Sequence, residues 1–194
     1  MKRTLIVTAV LASAAFAALA QTTESTVGRD VNQQQRIEQG LQSGSLNTRE
    51  ASELERGESQ IDRLQQKELR DGTLSGADQA RLRAAQQAES KAIYQAKHND
   101  VNGNPMSTSS QRSQEMVQRN INQETRIQNG VADGGLNNRE VSRLQGNEAR
   151  TDRTEYRAGE NGRVSAREDA RVNARDNRVS NNIHKQRWDG QKRR

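Results

Sequence analysis

Gly44-Ser45-Leu46-Asn47-Thr48-Arg49-Glu50 and, 90 residues later, Gly134-Gly135-Leu136-Asn137-Asn138-Arg139-Glu140 are two occurrences of one turn. Two further versions follow after a shift of 28: Gly72-Thr73-Leu74-Ser75-Gly76-Ala77-Asp78 and Gly162-Arg163-Val164-Ser165-Ala166-Arg167-Glu168. Each has a glycine, an apolar residue two places on, then Asn or Ser followed three residues later by an acid. Glycine suits the left-handed residue that closes a helix. The Asn/Ser–acid spacing is that of a capping box. The first side chain accepts from an orphan amide of the next helix, and the acid reaches back to the cap and lies at the positive end of the helix. Asn47 with Glu50, Ser75 with Asp78, Asn137 with Glu140 and Ser165 with Glu168 are therefore the expected caps. Four such turns predict helix–turn–helix units throughout.

Outward from the turns, residues 31–100 align without a gap on 121–190. Asn32-Gln33 recurs as Asn122-Gln123, Arg36-Ile37 as Arg126-Ile127, and Asp62-Arg63 as Asp152-Arg153. A self-match at fixed period marks duplicated supersecondary units. Between turns, apolar residues fall on one helical stripe: Ala51, Leu54, Ile61 and Leu64, then Leu82, Ala85, Ile93 and Ala96. The second copy carries Val141, Leu144, Val172, Val179 and Ile183. Shorter helices near Val31–Leu41 and Gln114–Val131 precede each pair. The expected fold is all-α: two homologous three-helix units built from EF-hand-like capped helical hairpins, six helices in all.

The domain reading has six parts. Residues 1–20 have the layout of a signal peptide: Lys2 and Arg3, an apolar run over Leu5–Phe16, and Ala18-Leu19-Ala20 as the cleavage site. That run is shorter than the ~20 residues a membrane-crossing helix needs. Residues 21–30 read as a polar leader, 31–98 as the first helical repeat, and 99–110, with the only proline at Pro105, as a linker. Residues 111–188 are the second repeat and 189–194 a basic tail. A periplasmic or secreted location follows, with no membrane span after signal cleavage.

Composition narrows the chemistry. With no cysteine, disulfide staples, thiol ligands and thiol catalysis are excluded. Hydrophobic residues make up 30%, too few for a large core, so the units are expected to pack on each other or on a partner. His98 and His184 do not align between copies and form no metal or catalytic spacing. No nucleophile elbow or phosphate-cradling loop is present. Expected are no enzymatic activity, no catalytic residues, no metal ligands and no cofactor.

Three constellations remain. The turns resemble the back half of an EF-hand calcium loop, but the first and third ligand positions would be Gln39 and Leu41, Lys67 and Leu69, Asn129 and Val131, and Arg157 and Gly159. Calcium needs six to eight oxygens, so the likeness is structural, with weak divalent-metal binding as an alternative function. Leu46 with Leu74, and Leu136 with Val164, are expected to meet across paired turns. Arg163, Arg167, Arg171 and Arg175, followed by Arg178, form a cationic row where the first copy has Thr73, Ala77, Arg81, Ala85 and Ala88. That row is the candidate anion-binding site, for nucleic acid or another polyanion. Finally, Glu58/Glu148 and Asp62/Asp152 recur in both copies, and ion pairs with Arg36 or Arg81 are the expected reason.

Charge is also uneven between the copies. Gln21–Asn104 holds 11 basic and 13 acidic residues; Pro105–Arg194 holds 18 basic and 12 acidic. The Arg-Ile-x-x-Gly and Gly-x-Leu-x-x-x-Glu rhythm resembles small exported helical proteins of unknown function from Gram-negative bacteria, with degenerate EF-hand-like helix–turn–helix repeats. That resemblance implies location and architecture, and no activity. The reading is a non-enzymatic exported interaction or envelope-associated module. Its expected partners are a protein or envelope surface, a second copy of the chain, or a polyanion.

Overall fold

The computed structural model describes residues 5–188, with side chains from Thr23 onward. The predicted basic tail 189–194 lies outside the described residues, as do the side chains of the predicted signal peptide. The fold is all-α, with six helices and no strand among the described residues: α1 Leu5–Ser43, α2 Thr48–Glu68, α3 Gly76–Lys97, α4 Thr108–Ala132, α5 Asn138–Gly159 and α6 Ala166–Trp188. No described helix is long and apolar enough to cross a membrane.

The turns are built by local chemistry. Gly44, Gly72, Gly134 and Gly162 hold φ of 79°, 92°, 77° and 81°, where a side chain would be strained. Asn47 and Glu50 exchange hydrogen bonds of 2.9 and 3.0 Å, and Asn137 and Glu140 do so at 3.1 and 2.8 Å. Ser75 with Asp78 and Ser165 with Glu168 repeat the exchange. The amide of Leu46 donates to Gly40 O at 2.9 Å, and that of Leu136 donates to Gly130 O at 2.7 Å.

The helices pack chiefly across the repeat. α2 lies antiparallel on α5 and α1 on α4, while α3 rests on α1 and α2, and α6 on α4 and α5. The central α2–α5 contact is close because small residues meet there. A Cβ on Gly159 would lie 2.7 Å from Ser52 Cβ, Ser59 Oγ donates to Ala149 O at 2.8 Å, and Ser142 Oγ donates to Gln66 O at 2.6 Å. Each outer helix is clamped alike. Arg36 donates to Ser90 Oγ and O at 2.6 and 3.0 Å, and Arg126 to Ser180 Oγ and O at 2.7 and 3.1 Å.

Three expectations are corrected. Residues 23–30 are not a polar leader: they continue α1, and Thr23, Thr26, Val27 and Asp30 are buried, with Thr23 Oγ1 donating to Asn138 Oδ1 at 2.9 Å. The linker is shorter and seated. α4 starts at Thr108 behind the Ser107 cap, and Gly103 N–H donates to Gly44 O at 2.8 Å. The turns do not pair within a copy. Leu46 packs with Ile37, Leu41 and Ile93, whereas Leu74 joins Leu136 and Ile127 in another cluster, and Val164 packs with Met116 and Val172. The hairpins are held by the opposite copy, which draws their turns apart.

Candidate functional site

Along α2 the buried apolar residues Ala51, Leu54 and Ile61 run beside a second set, Glu55, Glu58, Asp62 and Gln65, and every one of these residues is buried. α5 does the same with Gln145, Glu148, Asp152 and Glu155. Steps of three and four put each set on one side of its helix. Because α2 and α5 are antiparallel, the two sets face each other. Asp30 of α1, Glu124 of α4 and Asp176 of α6 complete the array, with Glu89 of α3 at its margin. Apolar clusters thus flank a polar waist.

No Lys, Arg or His is buried among the described residues. Arg119 of α4 comes nearest, 3.6 Å from Asp176. The predicted ion pairs of Glu58 and Asp62 with Arg36 or Arg81 therefore do not form. Arg36 is spent on Ser90, and Arg81 on Glu68 and Asp78. Both arginines lie on outer faces, out of reach of the α2–α5 seam.

Side-chain amides take the place of cations, in a pattern related by the repeat. Gln34 donates to Glu55 at 3.0 Å in the first half, and Gln145 donates to Glu124 at 3.0 Å in the second. Positions 34 and 124 correspond, as do 55 and 145, so acid and amide have changed places. Gln65 donates to Asp30, and Asn120 donates to Glu155 at 2.8 Å, again with the roles exchanged. Gln86 donates to Asp30 at 2.6 Å; its counterpart is Asp176, which accepts from Gln123 at 3.4 Å.

Donors nevertheless run short. Both carboxyl oxygens of Glu58, one each of Glu55, Glu148 and Glu155, and the amide oxygens of Gln34, Gln65, Asn120 and Gln145 have no hydrogen-bond partner. An ionised carboxylate in such surroundings is costly. Burial lifts the Asp30 and Glu55 carboxyls to about 7 and Glu124 to about 8, against the opposing effect of their amide partners. Burial first, and then the neighbouring acids, raises Glu58, Asp62, Glu148, Asp152 and Glu155 well above the usual carboxylate range.

The expected anion row is on the surface. Arg163, Arg167, Arg171 and Arg178 are exposed and Arg175 is half-buried. Arg171 and Arg175 line a recess of about 150 Å³ with Thr154, Arg157 and Glu168. None of the five makes an ion pair within 4.0 Å among the described residues. Arg178 Nε donates to Ala174 O. The turn carboxylates are occupied. Asp71 accepts from the Thr73 amide and hydroxyl, Asp133 accepts from Gly135 and Arg187, and the cap acids hold the caps.

Sequence reasoning found Glu58, Asp62, Glu148 and Asp152 but missed Asp30, Glu55, Glu124, Glu155 and Asp176. The signal available was the polar stripe 55-58-62-65 running beside the apolar one. No protein-family model matches the chain, and the searches of curated proteins and of solved structures found no match.

Proposed function

We propose that the chain is a non-enzymatic exported helical protein that acts through its surface as an envelope-associated interaction module, binding polyanions through α6. In this reading two homologous three-helix units of EF-hand-like hairpins form one bundle and present the row Arg163, Arg167, Arg171, Arg175 and Arg178. The observation that carries it is charge segregation. Six of the second half's twelve acids are buried, against four of the first half's thirteen, and every described base stays outside the core. The second half's surface is therefore more cationic than its sequence charge indicates, and a field of one sign favours an anionic partner. Export rests on the leader.

Non-enzymatic action is supported by where the acids sit. Perturbed carboxyls can run acid–base chemistry where substrate reaches them; the void beside Glu55 and Glu155 measures only about 10 Å³, and Glu89, at the margin of the array, is the one such acid that lines an open groove. Calcium binding at the turns is the weaker alternative, since their carboxylates are already engaged.

Heparin affinity chromatography of the purified protein tests the reading. Retention is expected at low salt, with affinity falling tenfold or more between about 50 and 200 mM. The variant Arg167→Ala/Arg171→Ala/Arg175→Ala is expected to elute early, whereas Arg70→Ala/Arg83→Ala in the first half keeps wild-type retention. Equal elution of the two variants, or no retention of the wild type, overturns it.

A further inference from the structure

We propose that Glu55 of α2 and Asp152 and Glu155 of α5, joined by Asn120 of α4, form an interior binding site for one hard divalent cation, calcium or manganese. This goes beyond the surface reading above and stands independently of it. One carboxylate oxygen from each acid lies within 4.8 Å of those of the other two. Magnesium gives up its waters reluctantly and is seldom held by all-protein cages, so a buried set of carboxylates favours the larger ions.

Several independent observations point to a cation here. All four residues are at most 4% exposed. Glu55 Oε1 and Glu155 Oε1 accept from no donor group, and the two carboxyls lie against one another. Asn120 Nδ2 already spans the two glutamates, at 2.8 Å from Glu155 Oε2 and 3.4 Å from Glu55 Oε2. A half-turn of that amide would bring its oxygen to the same place, converting a donor into a fourth ligand. A void of about 10 Å³ borders the two glutamates, with Ser113, Met116 and Gly159. The acids and Asn120 offer oxygen donors only, with no imidazole or thiolate among them, which favours hard cations over zinc or copper. The α2–α5 seam that carries three of the four groups is pinned by Ser59–Ala149 and Ser142–Gln66, so the ligands stand on a rigid frame.

The repeat supplies an internal control. The positions equivalent to Glu55, Asp152, Glu155 and Asn120 are Gln145, Asp62, Gln65 and Asp30, where amides replace two of the three acids. Only one of the two related clusters gathers three carboxylates, and one ion per chain follows.

The test is calorimetric titration of purified, EDTA-stripped protein with calcium, manganese and magnesium in turn. Loss of the free-manganese EPR signal serves as a second readout. Expected is one equivalent bound at or below about 1 mM for calcium or manganese, with magnesium weaker. Glu155→Gln is expected to weaken binding by about tenfold or more. It installs the residue the first half already uses at that position, so folding is expected to hold, and circular dichroism checks this. Asp152→Asn is the second variant should the first misfold. Glu124→Gln, a buried acid outside the triad, and Asp71→Asn, in a turn, should each bind as wild type. Absence of binding by the folded wild type, undiminished binding by both ligand variants, or loss of binding on Asp71→Asn alone each overturns the proposal. None of these results alters the heparin experiment.

Discussion

α3 and α6 occupy equivalent places in the two halves, and they agree inside while differing outside. On the inner face Leu82 answers to Val172, Gln86 to Asp176 and Ile93 to Ile183, and all six are buried. On the outer face α3 carries Ala77, Ala85 and Ala88 where α6 carries Arg167, Arg175 and Arg178. Packing restrains the first set; only solvent restrains the second. The inner agreement also concerns pairs more than residues. An amide and an acid must meet at positions 34 and 55, and again at 124 and 145, but either helix can carry either one. A hydrogen bond between a carboxyl and an amide has the same shape from both sides, so exchange between helices costs little as long as both partners change together.

The largest expected effect is on pH dependence, and it would break the comparison if the halves responded differently. Asp30, at about 7, and Glu124, at about 8, sit above their ordinary values because of burial. The folded chain therefore holds protons that the unfolded chain releases. Their stabilising share is complete below about pH 4 and is lost as pH rises through 7 and 8, at about 1.4 kcal/mol per unit of raised pKa. Urea midpoints measured in EDTA at pH 5, 6.5 and 8 should fall in that order. Asp30→Asn and Glu124→Gln each install the residue of the other half, and both should flatten the decline; a midpoint that rises with pH contradicts the account.

A smaller effect sharpens the exchange of roles. Gln145→Glu alone sets two acids against each other and should lower stability by about 1–3 kcal/mol near neutral pH. Adding Glu124→Gln recreates the first-half arrangement and should recover most of the loss, giving a coupling energy readable in a double-mutant cycle. Additive losses would mean that the pair is not the unit.

The smallest effect belongs to the outer face. Arg167→Ala/Arg175→Ala makes α6 resemble α3 there, and thermal unfolding should shift stability by no more than about 0.5 kcal/mol. A larger loss would give the row a packing role and remove it from the surface reading.

Local chemistry was legible in the sequence because its partners lie three residues apart. The glycines, the Asn/Ser–acid spacing and the apolar stripes of α2 to α6 place the turns and most helix bounds within a few residues. The start of α1 was less legible. Thr23, Thr26 and Asp30 look like a polar leader until Asn138 and Gln86, more than fifty residues away, accept or donate their hydrogen bonds. The acid array was half legible: Glu58 and Asp62 stood out by recurring as Glu148 and Asp152, whereas Glu55 and Glu155 are matched by amides and break the repeat they belong to.

What the sequence determined by itself was therefore the list of helices and the bends between them, since a cap or a left-handed glycine acts over one turn of chain. What tertiary structure alone decided was which faces met. α2 closed on α5 and α1 on α4, turning acids that read as ion-pair partners of Arg36 or Arg81 into the polar interior of the bundle, because burial is a property of the antiparallel contact between copies and no single helix encodes it.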